Sequence, residues 1–234
     1  MKETIYTIPI NDSFSADCEC PLCDFLQKEE KNRIEYALGA SMMEPDERIK
    51  SNELGYCQKH TQMMYNHGNK LSHALVLETR LKYIIDKVEE HKKANRKQKK
   101  SIFTSNKNSV DSKLSCTCVV CSRLESIMEA FTSNVFYLYK RDEEFRNKFI
   151  SCKGFCLVHF ELLANSAHKY LTGDDAYEFL NILCDLQKNN LDRVLEDVVW
   201  FTKKFDYRYR DEDWKNSKDA VIRASQKISG YIEE

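Results

Sequence analysis

The chain has 234 residues, of which 42% are hydrophobic and 31% are charged, and its formal net charge is −1. This composition is typical of a folded globular protein and argues against a disordered chain. A net charge near zero gives the chain as a whole no strong attraction to nucleic acid or to an anionic membrane.

The sequence also bears on secondary structure and compartment. Only six Gly and three Pro are present, and this scarcity of turn formers favours helices. No apolar run approaches the length of a membrane span, about 20 residues, and residues 1–12 lack the basic start and apolar stretch of a signal peptide. We therefore expect a cytoplasmic protein, in which the ten cysteines are metal ligands or redox groups rather than disulfides.

Helices are predicted over most of the chain. After an extended lead-in at 1–17, the apolar spacing and the turn residues predict helices over 23–38, from Pro45, after Cys57, and over 71–90, 121–140, 143–150, 156–170 and 174–205. The clearest stripe consists of Leu71, Ala74, Leu75, Leu77, Leu81, Ile84, Ile85 and Val88, which recur at three- and four-residue steps. We expect it to face a core, as we expect of the 174–205 stripe, on which Cys184 is a packing residue.

A cysteine–histidine pattern occurs twice along the chain. The first copy has Cys18, Cys20 and Cys23 followed by Cys57 and His60, and the second has Cys116, Cys118 and Cys121 followed by Cys156 and His159. The step from Cys20 to Cys57 is 37 residues, and the step from Cys118 to Cys156 is 38. Buried free cysteines would not explain this duplicated spacing, so we interpret each copy as a metal-binding module.

Each copy offers three thiolates and one imidazole, the ligand set of a closed tetrahedral zinc site. The predicted ligands are Cys20, Cys23, Cys57 and His60 in the first module, and Cys118, Cys121, Cys156 and His159 in the second. In C-x-x-H both side chains lie on one face of a helical turn, and a helix N-terminus favours a thiolate. Gly55 and Gly154 allow a tight turn before each C-x-x-H motif. Each metal would then join the start of one helix to the start of the next within its module.

Cys18 and Cys116 leave two alternatives open. Each stands two residues before its C-x-x-C, so it is an extra thiol near the metal. With Cys18 in place of His60, four cysteines would suit an iron–sulfur cluster. Alternatively, Cys18 and Cys116 are low-pKa thiols of a thiol-redox or metal-sensing protein.

The repeat divides the chain into modules. We predict an N-terminal metal-binding helical module at 1–91, a basic flexible linker at 92–113, and a C-terminal metal-binding helical module with a charged aromatic tail at 114–234. The linker has eight Lys or Arg and one Asp, a local net charge of +7. It is interpreted as a solvated tether, with phosphate contacts to nucleic acid through 92–100 as the alternative.

Several segments together resemble a known family. They are the lead-in K-E-T-I-Y-T-I-P-I, the two cysteine–histidine copies, S-M-M-E-P-D-E-R, and the tail F-D-Y-R with W-K-N-S-K-D-A. The chain is similar over nearly its whole length to an uncharacterised bacterial family of unknown function, found largely in anaerobic Firmicutes. The resemblance implies a cytosolic bacterial protein and supplies no reaction and no catalytic residues.

The expected fold is all-α, with two tandem helical modules, each tied by a Cys3His metal site. The chain has no nucleotide-binding glycine motif and no H-E-x-x-H. A closed ligand set disfavours metal catalysis, so the sequence favours a zinc-binding structural or interaction protein with a protein partner over an enzyme.

Overall fold

The computed structural model describes residues 7–98 and 117–232, and these two ranges are helical and contain no β-strand. Their helices are α1 Ile8–Ser15, α2 Pro21–Leu38, α3 Pro45–Leu54, α4 Gln58–Asn66, α5 Lys70–Gln98, α6 Val119–Arg141, α7 Glu143–Ser151, α8 Leu157–Tyr170, α9 Asp174–Lys203 and α10 Ala220–Ser229. Short 3-10 helices span Ala40–Met43 and Tyr207–Tyr209. The all-α prediction is confirmed. Within the described ranges, no helix is both long and apolar enough to cross a membrane.

The chain forms two compact units. Unit 1 consists of Met1–Lys28 and Ile127–Glu234, and unit 2 is the continuous segment Glu29–Ser126. The division falls inside α2 and inside α6, so both helices contribute residues to both units. The units therefore do not coincide with the sequence modules 1–91 and 114–234, because each unit combines segments of both repeats.

The first helix corrects the extended lead-in expected at 1–17. Residues 8–15 form α1, with Pro9 in its first turn, where a proline costs no internal hydrogen bond. Ile10 and Phe14, one helical turn apart, are both buried in the core of unit 1. The weak alternation of the N-terminal sequence was therefore outweighed by the apolar pair that packs one face of the helix.

Unit 1 has a large core rich in aromatic residues, drawn from α1, the first turns of α2, and α6–α9. Phe149 is fully buried at its centre. The centroid of the Phe149 ring lies 5.7 Å from that of Phe14, 5.5 Å from that of Phe155 and 5.4 Å from that of Phe179. Ring pairs at these separations add to the free energy gained from burying apolar area. The core of unit 1 is thus substantial before any metal is considered.

Unit 2 has a much smaller core. Its buried members are Ile34, Ala37, Leu38, Met64, Cys118 and Val120. Two of these six, Cys118 and Val120, lie in the second C-x-x-C segment. A core of this size supports a compact unit poorly without a further tie.

The predicted apolar stripe of α5 is exposed rather than buried. Leu71, Leu81 and Ile85 are 73%, 56% and 57% exposed. The opposite face lies inward, because Arg80 is buried and donates to the backbone carbonyls of Asn52 and Glu53 at the end of α3. A basic side chain on the last carbonyls of a helix is a favourable C-terminal cap.

The helix α5 also extends into the predicted linker. It continues to Gln98 rather than ending near Glu90, because Lys, Arg, Ala and Gln are good helix formers. The remainder of the predicted linker, 99–113, lies outside the described residues.

Candidate metal centres

The eight predicted ligand residues come together in two groups. Cluster A contains Cys20, Cys23, Cys156 and His159, and cluster B contains Cys57, His60, Cys118 and Cys121. In each cluster the four ligand atoms lie within 4.8 Å of one another. Cluster A belongs to unit 1 and cluster B to unit 2.

The prediction that the C-x-x-C and C-x-x-H pairs of one repeat share a metal is wrong. Each C-x-x-C pair meets the C-x-x-H pair of the other repeat, so Cys20 and Cys23 join Cys156 and His159 instead of Cys57 and His60. The physical reason is the packing of the helices that carry them. The starts of α2 and α8 belong to unit 1, whereas the starts of α4 and α6 belong to unit 2.

Four helix N-termini supply the ligands. Cys57 and Cys156 are the N-cap residues of α4 and α8, and each histidine lies three residues further on. Each C-x-x-C pair straddles a helix start in the same way, with α2 beginning at Pro21 and α6 at Val119. The helix after Cys57 is therefore confirmed. The positive ends of two helix dipoles meet at each cluster, where they favour thiolates.

The ligand atoms have the spacing of a single tetrahedral ion. Zinc at about 2.3 Å from sulfur and about 2.0 Å from nitrogen sets edges of about 3.8 Å between sulfurs and about 3.5 Å between sulfur and nitrogen. The histidine Nδ1 lies 3.2–3.3 Å from the three sulfurs of cluster A. It lies 3.1–3.5 Å from those of cluster B. Sulfur pairs are 3.6 Å apart in cluster A (Cys23 and Cys156) and 3.9 Å apart in cluster B (Cys57 and Cys121).

Cluster A is flanked by a buried ionic network that sequence reasoning missed. Glu19, between two cysteines of the loop, has a carboxylate oxygen 2.7 Å from Arg193 and 3.1 Å from Lys227. Lys227 of α10 is 1% exposed, and it donates to the backbone carbonyl of Glu19 at 2.6 Å and to that of Lys153. Burial lowers the pKa of Lys227. This network fixes the loop that leads into Cys20.

The end of α10 also reaches cluster A. The backbone N–H of Tyr231 donates to the sulfur of Cys23. A Cβ at Gly230, where φ is +89°, would lie 3.9 Å from that sulfur. A backbone donor to a thiolate stabilises its negative charge, so the C-terminal segment is part of the surroundings of the cluster.

Cluster B is supported by a carboxylate. Glu30 of α2 accepts from the Nε2 of His60 at 2.8 Å and from Lys59 at 2.6 Å. This bond leaves Nδ1 of His60 for the cluster and fixes the orientation of the ring. The repeat offset of 98 places Met128 at the position equivalent to Glu30, so the carboxylate belongs to only one of the two repeats.

The turn before Cys156 is held by a buried amide. Gln187 of α9 is 4% exposed; its Oε1 accepts from the Phe155 N–H at 3.0 Å, and its Nε2 donates to the Phe155 carbonyl at 2.9 Å. Gly154 precedes this turn with φ of +78°. A Cβ there would lie 3.2 Å from Oε1 of Gln187 and 3.3 Å from Cβ of Asn190. Glycine is thus required both by the backbone and by the space available.

In the metal-free protein the thiols of cluster A share one negative charge. Burial raises the pKa of Cys20 well above its ordinary value. The hydrogen bond with Cys156 raises the pKa of Cys23 to about 12. The bonds donated by Cys20 and Cys23 lower the pKa of Cys156 far below the ordinary value. Binding a metal through three thiolates therefore requires the removal of two protons at neutral pH.

Cluster B holds its charge as an imidazolium–thiolate pair. Burial acts to lower the pKa of His60, but the hydrogen bonds to Cys118 and Glu30 outweigh it and raise the pKa to about 10. Burial acts to raise the pKa of Cys118, but the bonds from His60 and from the Cys121 and Cys57 N–H groups lower it to about 6. Burial raises the pKa of Cys121 to about 12. A metal here displaces the protons of His60 and Cys121.

The remaining cysteines lie outside both clusters or outside the described residues. The thiol of Cys18 donates to the Ser13 carbonyl at 4.0 Å, and its pKa is raised to about 11, mainly by burial. Cys116 lies outside the described residues. Cys152 packs partly buried against the core of unit 1. Cys184, expected to pack on the stripe of α9, is exposed instead.

A comparison with protein families matched the full length, residues 1–234, to DUF6062. The chain belongs to DUF6062, a family of unknown function. No curated protein and no solved structure matches the chain. The resemblance to a family of unknown function is thereby confirmed at the level of the family. For this DUF6062 member, the argument for a function rests on the geometry of the clusters.

We expect Gly154→Ala to destabilise the protein and to weaken metal binding at cluster A. The new Cβ combines a strained positive φ with the close contacts to Gln187 and Asn190, and these effects together cost about 2–4 kcal/mol. The matched control is Gly173→Ala, where φ is +56° and nothing lies within 4 Å of the added Cβ. It should cost only about 1–2 kcal/mol from backbone strain. Denaturant unfolding and metal affinity measure both variants, and equal losses would contradict the analysis.

Metal binding should release at least two protons per cluster at pH 7. The released protons are those of Cys20 and Cys23 in cluster A, and of His60 and Cys121 in cluster B. Affinity should therefore rise with pH by about 100-fold per unit at each cluster, since two bound protons compete with the metal. Calorimetry in buffers of different ionisation enthalpy measures the release, and a heat of binding that is independent of the buffer would refute it.

Proposed function

We propose that this DUF6062 member is a zinc-binding structural protein, in which one Cys3His site ties each compact unit. The observation that supports this best is the ligand geometry. Each cluster supplies four ligand atoms at tetrahedral spacing, and its histidine and at least one of its cysteines are buried. A single ion held by four protein ligands has no coordination position left for a substrate, whereas catalytic zinc retains one.

Zinc is favoured over an iron–sulfur cluster by the spacing and by the donor set. Ligand atoms within 4.8 Å of one another suit one ion, whereas a cluster of several irons holds its cysteines farther apart. The four-cysteine alternative also needs Cys18 in place of a histidine, but Cys18 is not among the four residues of cluster A, and its thiol faces the Ser13 carbonyl. A mixed sulfur and nitrogen set is typical of structural zinc.

The thiol-redox alternative loses its first candidate. A reactive cysteine has a lowered pKa, and the pKa of Cys18 is raised to about 11. The second candidate, Cys116, lies outside the described residues, so its role stays a prediction.

We further propose a cytoplasmic protein that acts through a protein partner. A reducing compartment keeps the six predicted cysteine ligands from forming disulfides. The exposed apolar residues of α5, among them Leu71, Leu81 and Ile85, support a surface for contact with another protein. A bacterial source and phosphate contacts through 92–100 stay predictions from the sequence.

Cobalt substitution tests both the closed site and the exchange of ligands between the repeats. The protein should bind two Co²⁺ with the intense visible bands of tetrahedral thiolate ligation, and added azide should leave the spectrum unchanged. Cys20→Ser and Cys156→Ser should each remove the same site, so that the double variant still binds one ion. Cys20→Ser with Cys57→Ser should remove both sites.

Pairing within each repeat gives the opposite result for the two double variants. In that case Cys20→Ser with Cys156→Ser would lose both sites, and Cys20→Ser with Cys57→Ser would retain one. A shift of the cobalt bands with azide would show an open coordination position and contradict the structural role.

Removing the metals should unfold unit 2 before unit 1, because the core of unit 2 has only five buried apolar residues besides the cluster ligand Cys118. Hydrogen exchange with and without a chelator measures this. Backbone amides of α4 should lose protection, while those of α7 and α9 should retain most of theirs. Zinc should restore protection and magnesium should not. Unchanged protection after complete removal of the metal would contradict a structural role.

A further inference from the structure

Unit 2 contains a cavity that the metal sites do not use. Its volume is about 500 Å³, and it is bounded by α2, the 3-10 helix at Ala40–Met43, α3 and the start of α6. This is within the range of sites that bind small molecules. The residues that decide its chemistry are Arg33, Tyr36, Glu47, Lys50, Tyr56 and Arg123.

The charged side chains of the cavity are mostly cationic. Lys50 and Glu47 lie 2.9 Å apart and largely neutralise each other. Two guanidinium groups then remain in the lining, and they approach the same cavity from α2 and α6. That of Arg33 is paired with Glu29, which does not line the cavity, and that of Arg123 has no carboxylate partner among the described residues. The balance therefore favours an anion.

Both arginines have unused hydrogen-bond donors. Nε of Arg33 is buried without a hydrogen-bond partner, although another nitrogen of the same guanidinium donates to the Glu29 carboxylate at 3.4 Å. The side chain of Arg123, which is exposed, makes no hydrogen bond or ion pair with any residue in the described part of the chain. A buried unpaired donor such as Nε of Arg33 is uncommon in native proteins, and a guanidinium matches the oxygens of a phosphate or a carboxylate in a planar, two-bonded arrangement.

The rest of the lining is aromatic and aliphatic. The rings of Tyr36 and Tyr56 lie beside Leu54, Val119 and Val120. The hydroxyl of Tyr36 donates to Glu44 at 2.8 Å, and that of Tyr56 is hydrogen-bonded to Ser51. The hydroxyls are thus already engaged, and the rings offer an apolar surface to a flat group.

The loops that carry the cluster B ligands form one wall of the cavity. Val119 and Val120 are the two residues between Cys118 and Cys121, and Tyr56 directly precedes Cys57. The N–H of Val119 donates to the Gly55 carbonyl at 2.9 Å and joins the two ligand loops. The ion that fixes these loops would also fix the wall.

We propose that this cavity binds a small organic anion, with a phosphate or carboxylate between Arg33 and Arg123 and a flat apolar part against Tyr36 and Tyr56. This anion site goes beyond the structural role proposed for the metals. It depends on that role only because the metal at cluster B would fix the shape of one wall of the cavity. A structural role alone would not require a buried Nε of Arg33 without a partner beside a second arginine, Arg123, whose side chain is unpaired.

The test is a calorimetric titration of the full-length, metal-loaded protein with four probes: phenyl phosphate, benzoate, inorganic phosphate and phenol. At least one of the first two should bind with a submillimolar Kd, and whichever binds more tightly identifies the anionic group. Inorganic phosphate should bind at least about 5-fold more weakly, because it lacks the apolar part, and phenol should not bind measurably, because it lacks the charge.

Arg33→Gln and Arg123→Gln should each weaken binding of that probe by about 10-fold, since each removes a charge-assisted hydrogen bond. Arg208→Gln is the matched control, because Arg208 lies in unit 1, is exposed, and pairs with Asp206 at 2.6 Å. It makes the same change in net charge and should leave the affinity unchanged. Circular dichroism and metal content establish that each variant is folded.

Failure of both organic anions to bind at millimolar concentration would overturn this inference, as would equal weakening by Arg208→Gln. Neither result would affect the proposed structural role, which is judged by the metal content of the same sample. Conversely, a protein that binds no metal but still binds phenyl phosphate through Arg33 would overturn the structural role and support the anion site.

Discussion

The structure depends on the convergence of three sulfurs and one ring nitrogen at each of two partly buried points. Thiolates this close together repel one another, and a low-dielectric interior makes their charge more costly still. A divalent cation reverses the sign of both effects, because it attracts every ligand and replaces the missing hydration. The surrounding features serve the same end: two helix N-termini aimed at each cluster, Lys227 buried beside cluster A, and backbone donors to the sulfurs of Cys23 and Cys118.

The two units differ in the size of the core and in the polar contacts that surround the cluster. Unit 1 surrounds cluster A with a large aromatic core, an ionic network around Glu19, and an amide clamp from Gln187. Unit 2 has a short core that includes one of its own cluster residues, Cys118, and it adds a carboxylate, Glu30, behind His60. The duplicated motif therefore lies in two different environments. In unit 1 the packing of the core contributes most of the stability, whereas in unit 2 the metal ligands contribute much of it.

The sequence was informative where the relevant interactions are local. Helix content, the start of α4 at Cys57, and the eight residues that form the clusters all follow from spacings of a few residues. The sequence could not predict that each C-x-x-C pair binds with the C-x-x-H pair of the other repeat. Pairing within a repeat and pairing between repeats both give three cysteines and one histidine, so both are compatible with a tetrahedral site. The stripe on α5 was misjudged for a similar reason: periodicity identifies an apolar face but does not say that Arg80 turns the other face inward. No sequence pattern predicts the contact between Glu19 and Lys227, because only the packing of α10 brings them together.

The ligand exchange has a consequence for how the chain reaches its native state. Closing cluster A brings together residues separated by 132 others, from Cys23 to Cys156, whereas the wrong pairing within the first repeat would span only 33, from Cys23 to Cys57. For a flexible chain this fourfold difference in loop length favours the wrong pairing by about 1 kcal/mol. An ion that meets the unfolded chain is therefore captured first by neighbours in sequence, and the native pairing wins only once the helices have packed. Correct assembly then requires the helical framework to precede metallation, or the early ligands to exchange.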